Sequence, residues 1–356
     1  MILVDAHQDI AYNYLQHGRD YRRSAWETRR LEARTATATE AGLAANGLPN
    51  ALLGRIAVIF ATLFAEPEWS TFTLNKRCGY ATPEQAYQVA LRQWEYYQRL
   101  ADEAEQIDLV RTQAELEAVL DTWEEGVPMQ QHRVGLVLLM EGADPILEPR
   151  QVEEWVERGV RIIGPAWSET RYAGGTGRPG PLTDLGRELL AAMADFNLVL
   201  DLTHTTEEGY LEALDRYPGP IIASHSNPTA CWDNHRNLTD LQIERLAERD
   251  GVIGVVFYSR FLDADWYRGA PKHVTPFGKL LAAIDHICQV TGSARHVGLG
   301  SDVDGGFGAE AMPVGIDTVA DFLQIGDGLR GMGYQEEDIA AILGQNFLRV
   351  LRQSLP

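Results

Sequence analysis

Cysteine, lysine and long apolar runs are all scarce in this chain. The cysteines number three, Cys78, Cys231 and Cys288. An odd count with no recurring spacing excludes a disulfide framework and a thiolate zinc motif, and it predicts free thiols in a reducing compartment. The lysines are Lys76, Lys272 and Lys279, and none of them ends an apolar run. No apolar run reaches the roughly 18 residues of a membrane span. No secretory leader precedes the first apolar segment, and no hydrophobic tail for a lipid anchor follows Arg349. The expectation is a cytoplasmic protein. Positive charge is in deficit overall, with a net charge of −20 over 356 residues. That excess argues against nucleic acids and anionic membranes as partners.

What the chain does have is a rhythm of short apolar segments and helical periods. Ile2–Val4, 55–63, 134–140, 160–163, 198–202, 220–223, 252–257 and 296–299 read as buried strands rich in β-branched residues. Helices fit between them at 82–104, 113–125, 151–157, 184–194, 206–214, 238–247 and 277–290, with 317–329 and 336–343 closing the series. Thr82-Pro83-Glu84 is a helix start in itself, with a capping hydroxyl, proline in the first turn and an early acid. A weaker segment, 107–110, reads as a minor strand outside the main set. Eight strands alternating with helices predict one closed (β/α)8 barrel of TIM type over 1–356, with an open doubly wound sheet as runner-up. The stretch 18–50, with Arg22, Arg23, Arg29, Arg30 and Arg34 among Thr and Ala, has no clean period. It reads as a long inserted loop with some helix, serving as a lid or an interface.

The chemistry-bearing residues sit where the predicted strands end. His7 and Asp9 close the first strand, Glu141 the third, His204 the fifth, His225 the sixth and Asp302 the eighth. In such a barrel all these ends share one face, the face that carries catalysis. A lone His-x-Asp is most simply a solvated turn. Five strand ends carrying His, Asp or Glu instead suggest a divalent metal centre. His7, Asp9, Glu141, His204 and His225 are more ligands than one catalytic ion takes. They suit two ions if Glu141 bridges, His7 and Asp9 serving one and His204 and His225 the other. Asp302 is then a proton shuttle, or alternatively one more oxygen ligand. The remaining histidines, His17, His132, His235, His273, His286 and His296, fall in loops, helices or before strands.

These segments resemble, in order, the membrane (renal) dipeptidase family of zinc peptidases, an amidohydrolase-like barrel. The likeness rests on Asp5-Ala-His-Gln-Asp9, Met140-Glu-Gly-Ala143, Leu182-Thr-Asp-Leu-Gly-Arg-Glu188, Asp201-Leu-Thr-His204, Ser224-His-Ser226, His235-Arg-Asn237 and Gly300-Ser-Asp-Val-Asp-Gly305. Residues 251–258 and 343–349 extend it to nearly the whole chain. The resemblance implies two Zn2+ per chain, a zinc-bound hydroxide and hydrolysis of dipeptides. It implies Asp302 as acid/base, Arg236 as the contact to the substrate carboxylate and Tyr258 as a pocket wall. Where mammalian-type members carry a substrate-contacting histidine, Gly164-Pro-Ala-Trp-Ser168 places Trp167. A tryptophan can donate one hydrogen bond but can neither accept one nor become cationic. That difference bears on substrate identity. The expected partner is therefore a small dipeptide, with a homodimer left open. Two other readings stand beside it. One is a hydrolase of another amide, an N-acyl amino acid or a lactone on the same barrel; the other is a non-catalytic metal-binding homologue. A phosphotriesterase-like arrangement would need His-x-His on the first strand and a bridging lysine, and neither is present.

Overall fold

The computed structural model describes residues 1–71, 73 and 76–356. Eight strands close into a parallel barrel: β1 (Leu3–Gln8), β2 (Ile56–Phe64), β3 (Val134–Glu141), β4 (Val160–Gly164), β5 (Val199–Asp201), β6 (Ile221–Ala223), β7 (Val252–Val255) and β8 (Val297–Leu299). Closure is explicit, because β1 pairs with β2 on one side and with β8 on the other, Asp5 opposite Leu299. β2 and β3 share the longest register, from Val58 opposite Gly135 to Phe64 opposite Glu141. The strands are apolar on both faces because side chains fill the barrel inside while helices cover it outside. The segment Ile107–Leu109 pairs only with the start of β3 and lies outside the ring, as its weak pattern implied.

The helix Pro83–Glu103 begins with the expected cap: the Thr82 hydroxyl accepts from Gln85 N–H, and the Gln85 side chain reaches back to the Thr82 amide. Its buried side includes Gln93 and Tyr97. Gln93 bonds both backbone groups of Phe64, at 2.7 Å and 2.5 Å, and Tyr97 donates to the Thr62 carbonyl at 2.9 Å. This helix thereby fixes the end of β2 beside the barrel mouth. Near β6 to β8 the strands approach closely. A Cβ on Gly254 or Gly300 would lie 1.9 Å or 1.8 Å from the Ser224 carbonyl oxygen, so glycine is required at both places.

Two expectations change. The chain does not finish its outer ring at residue 343. The helix Glu336–Ala340 passes through a π turn, Ala341–Gln345, into a further helix, Asn346–Ser354, that buries Phe347, Leu348, Val350 and Leu351. The wide turn shifts the apolar face, and a strict 3.6-residue pattern loses it there. The stretch 18–50 folds into helices Ala25–Glu32, Thr37–Glu40 and Leu48–Leu53 and docks beside the loop after β8. Arg19 pairs with Glu32 at 3.0 Å and donates to the Gly42 carbonyl, while the Asp304 carboxylate accepts from the Ala45 and Asn46 amides. Arg29 reaches the Asp317 carboxylate at 2.8 Å and its carbonyl at 2.7 Å. Among the described residues none from this stretch lines the cavity at the barrel mouth, while Thr39, Glu40 and Gly42 line a neighbouring hollow that shares Tyr258, Arg268 and Gly306 with it.

Candidate metal centre

The ends of β1, β3, β5, β6 and β8 bring His7, Asp9, Glu141, His204, His225 and Asp302 together, and all of these but the fully buried His7 line a cavity of about 480 Å³. Glu141 stands in the middle. Its Oε1 lies 3.0 Å from His204 Nε2 and 3.5 Å from His225 Nε2, and its Oε2 lies 3.6 Å from His7 Nε2. His7 Nε2 is also 3.8 Å from an oxygen of Asp9 and 3.8 Å from one of Asp302. Two sets that could each hold a metal ion result, His7–Asp9–Glu141 and Glu141–His204–His225, each with its donor atoms within 4.8 Å of one another. A third set, His7–His225–Asp302, places Asp302 alongside both.

Neighbouring residues aim these side chains. The Thr62 hydroxyl, at the end of β2, bonds the Asp9 carboxylate. His225 Nδ1 meets Ser224 Oγ at 2.9 Å, and that hydroxyl donates to Asp201 at 2.6 Å. His204 Nδ1 meets Thr176 Oγ1 at 2.8 Å. Asp5 accepts from the Ser301 amide at 2.7 Å and its hydroxyl at 2.5 Å. His204 and Asp302 have φ of +67° and +58°, left-handed backbone that costs a non-glycine residue about 1 kcal/mol or more and collects at functional sites. Gly305 leaves room for Asp302, whose Oδ1 would be 2.0 Å from a Cβ there.

The cluster is electrostatically strained. Burial raises the Asp9 carboxyl, and the charge of Glu141 adds to it, to about 6. Burial likewise drives Asp302 well above the usual carboxylate range, with Asp9 and Glu141 reinforcing it against His7. For Glu141, burial is overridden by His7 and His204, and the carboxyl is held low. His7 is opposed by its burial but carried up to about 10 by Glu141, Asp9 and Asp302. His204 is lowered to about 4, chiefly by burial, and His225 lies well below its ordinary value for the same reason. Among the described residues, neither ring nitrogen of His7 has a hydrogen-bond partner. Buried carboxylates this close, facing unpartnered imidazole nitrogens, are a donor set of N and O atoms suited to divalent cations.

The cavity wall carries Arg236, Trp167 and Tyr258, the three substrate-side residues named from the sequence. Arg236 is buried, its Nη2 donating to the His225 carbonyl at 2.7 Å and its Nη1 to Ser226 Oγ at 3.2 Å, while its Nε has no hydrogen-bond partner among the described residues. Burial lowers its pKa to about 10 against the pull of Asp302 and Glu141. Trp167 lies between Phe64 and His204, ring centroids 5.1 Å and 6.1 Å away. Tyr258 stacks on Phe307 at 4.4 Å.

Several residues at the site escaped the sequence reading. Asp5 and Asp201 had a signal, since each precedes a ligand histidine at a strand end. Thr62 and Ser224 lie within or beside apolar strands and carry no separate pattern. Thr176 and Arg178 reach the cavity from a hairpin, and Trp69 and Arg268 from loops, all remote in sequence from the clustered His, Asp and Glu residues, and no local pattern marks them.

Comparison with known proteins agrees with this geometry. The family model for membrane dipeptidase, peptidase family M19, matches residues 1–355. A Klebsiella pneumoniae protein encoded beside pqqA, itself uncharacterized, is 33% identical over 214 residues, 58% of this chain and 76% of its own. An uncharacterized dipeptidase of Schizosaccharomyces pombe is 35% identical over 169 residues, 48% of this chain, and the match spans 39% of that longer protein. In structure, a Rhodobacter sphaeroides metallopeptidase crystallised with a phosphinate mimic of L-Ala-D-Ala superposes with a TM-score of 0.81, at 24% identity, over 99% of both chains. A dipeptidase of family M19 superposes at 0.79, with 25% identity, over 100% of this chain and 99% of its own. The chain belongs to the membrane dipeptidase family, peptidase family M19, and is a metal-dependent dipeptidase.

Proposed function

We propose that this dipeptidase works with two zinc ions bridged by Glu141. The carrying observation is that the two oxygens of one carboxylate face different histidines, Oε2 toward His7 and Oε1 toward His204 and His225. His7, Asp9 and Glu141 would hold one ion, and Glu141, His204 and His225 the other. A bound pair of such ions supplies a water acidic enough to attack near neutral pH and a Lewis-acid pull on the scissile carbonyl.

The chain's own groups supply the rest. Asp302 faces the same space, 3.8 Å from His7 Nε2. Its carboxylate takes the proton of the attacking water and delivers it to the leaving amine nitrogen. Arg236 is braced from behind by His225 and Ser226, which leaves its remaining N–H groups to take a free α-carboxylate. A clamp at a set distance from the ligands measures one residue beyond the scissile amide, which selects dipeptides. Trp167 and Tyr258 form apolar sides of the pocket. An N-acyl amino acid keeps the same carboxylate and would meet the same clamp. A cytoplasmic setting is supported by three cysteines with no disulfide.

The test combines composition and turnover. Zinc-supplied protein should carry close to two equivalents of metal, and it should cleave members of a panel of L,L-, L,D- and D,D-dipeptides and N-acyl amino acids. Glu141→Gln should lose metal and activity together. A stoichiometry of one that Glu141→Gln leaves unchanged defeats the bridging arrangement.

A further inference from the structure

Thr176 sits at the tip of the hairpin formed by Ala173–Gly175 and Arg178–Leu182, and every polar group it has is engaged. Its N–H donates to the Trp167 carbonyl at 3.0 Å, and its carbonyl accepts from Ser168 Oγ at 2.6 Å. Its hydroxyl meets His204 Nδ1 at 2.8 Å. The flanks are pinned as well. Gly177 N–H donates to His235 Nε2 at 2.9 Å, and Gly180 exchanges two bonds with the Thr206 hydroxyl. On the other side, a Cβ on Gly175 would lie 2.3 Å from the Ser168 carbonyl, so glycine lets the strand come close enough to deliver Thr176. The hydroxyl is therefore fixed by its surroundings.

The histidine it meets needs such a partner. His204 points Nε2 at Glu141, so ligation through Nε2 puts the ring proton on Nδ1, and a buried N–H without an acceptor is costly. The other ligand histidines are backed differently. His225 Nδ1 leads through Ser224 to the Asp201 carboxylate, whereas His7 Nδ1 has no hydrogen-bond partner among the described residues. His204 also stands on left-handed backbone, φ +67°, so its ring is not held by relaxed local geometry.

We propose that Thr176 is a positioning residue that fixes the tautomer and aim of His204 and so sets the affinity of the ion held by Glu141, His204 and His225. The inference rests on the two-metal reading and adds that the two ions are held unequally, one of them through a hairpin that contributes no ligand.

The experiment is a titration of metal-free protein with zinc in competition with a chromophoric chelator, for wild type, Thr176→Val and Thr176→Ser. Valine keeps the branched shape and removes the acceptor; serine keeps the acceptor. Wild type should bind two equivalents. Thr176→Val should weaken one of the two affinities roughly 10- to 100-fold, the range for losing a histidine's outer hydrogen bond, and leave the other unchanged. Thr176→Ser should bind like wild type. If Thr176→Val lowers the melting temperature of the metal-free protein but leaves both affinities intact, Thr176 only holds the hairpin and the proposal is overturned. A valine variant unchanged in every respect overturns it too. Wild type that takes up fewer than two equivalents defeats the two-metal reading itself, and this inference with it.

Discussion

Asp5, in the first strand of the barrel, and Ser301, two residues past the last, are joined twice. The Ser301 amide donates to one oxygen of the carboxylate at 2.7 Å and the hydroxyl to the other at 2.5 Å. The pair ties the barrel seam beside His7 and Asp302, whose amide donates to the His7 carbonyl at 3.2 Å. Asp5 also accepts from Gln8 Nε2 at 2.7 Å and has no solvent exposure.

Asp5→Ala should therefore destabilise the protein by roughly 3 kcal/mol, since it strands buried donors that had a charged acceptor. Urea midpoints should show the loss. Asp5→Asn, which keeps the shape and one acceptor oxygen, should fall between alanine and wild type. An alanine variant as stable as wild type would mean that the seam does not depend on this link.

Asp302→Asn should lower turnover about a hundredfold or more, the scale for removing a general acid/base, while the metal content stays close to that of wild type. The amide preserves the shape but cannot carry the proton. Steady-state kinetics and metal analysis on the same preparation decide the matter. Loss of metal in this variant would make Asp302 a ligand, the alternative that its contact with His7 and His225 also allows.

Arg236→Lys should reduce kcat/KM for a dipeptide roughly tenfold or more, mainly through KM, because a point charge cannot reproduce the planar fork. Lysine also loses the bracing bonds to His225 and Ser226, so metal content is measured in parallel. The sharper comparison uses wild type with a dipeptide and its C-terminal amide. Equal rates on both would remove the carboxylate clamp.

Thiol titration under denaturing conditions should find all three cysteines reactive. In the folded protein the reaction should be slow, because Cys78 and Cys288 are buried and burial raises each of the three thiols to about 11. A disulfide between any pair would end the case for a reducing compartment.

Much of this protein is determined by sequence alone. The eight apolar runs carry the barrel because a strand covered on both faces must be apolar along its length. His7, Asp9, Glu141, His204, His225 and Asp302 could be singled out because each follows such a run, and parallel strands put their ends on one face. Tertiary structure decided the rest. Only the closed ring shows Glu141 offering one oxygen to each side, since that depends on how β3 sits across from β1, β5 and β6. Thr176 reaches His204 across 28 positions, and Thr62 reaches Asp9 across 53. Such pairings leave no local period. A π turn shifts the apolar face of the helix 346–354 and hides it from a regular period, and only the contacts to Asp304 and Asp317 show where the stretch 18–50 docks. Strand and helix periods are written by neighbours in the chain, whereas the groups that aim a ligand are neighbours only in space.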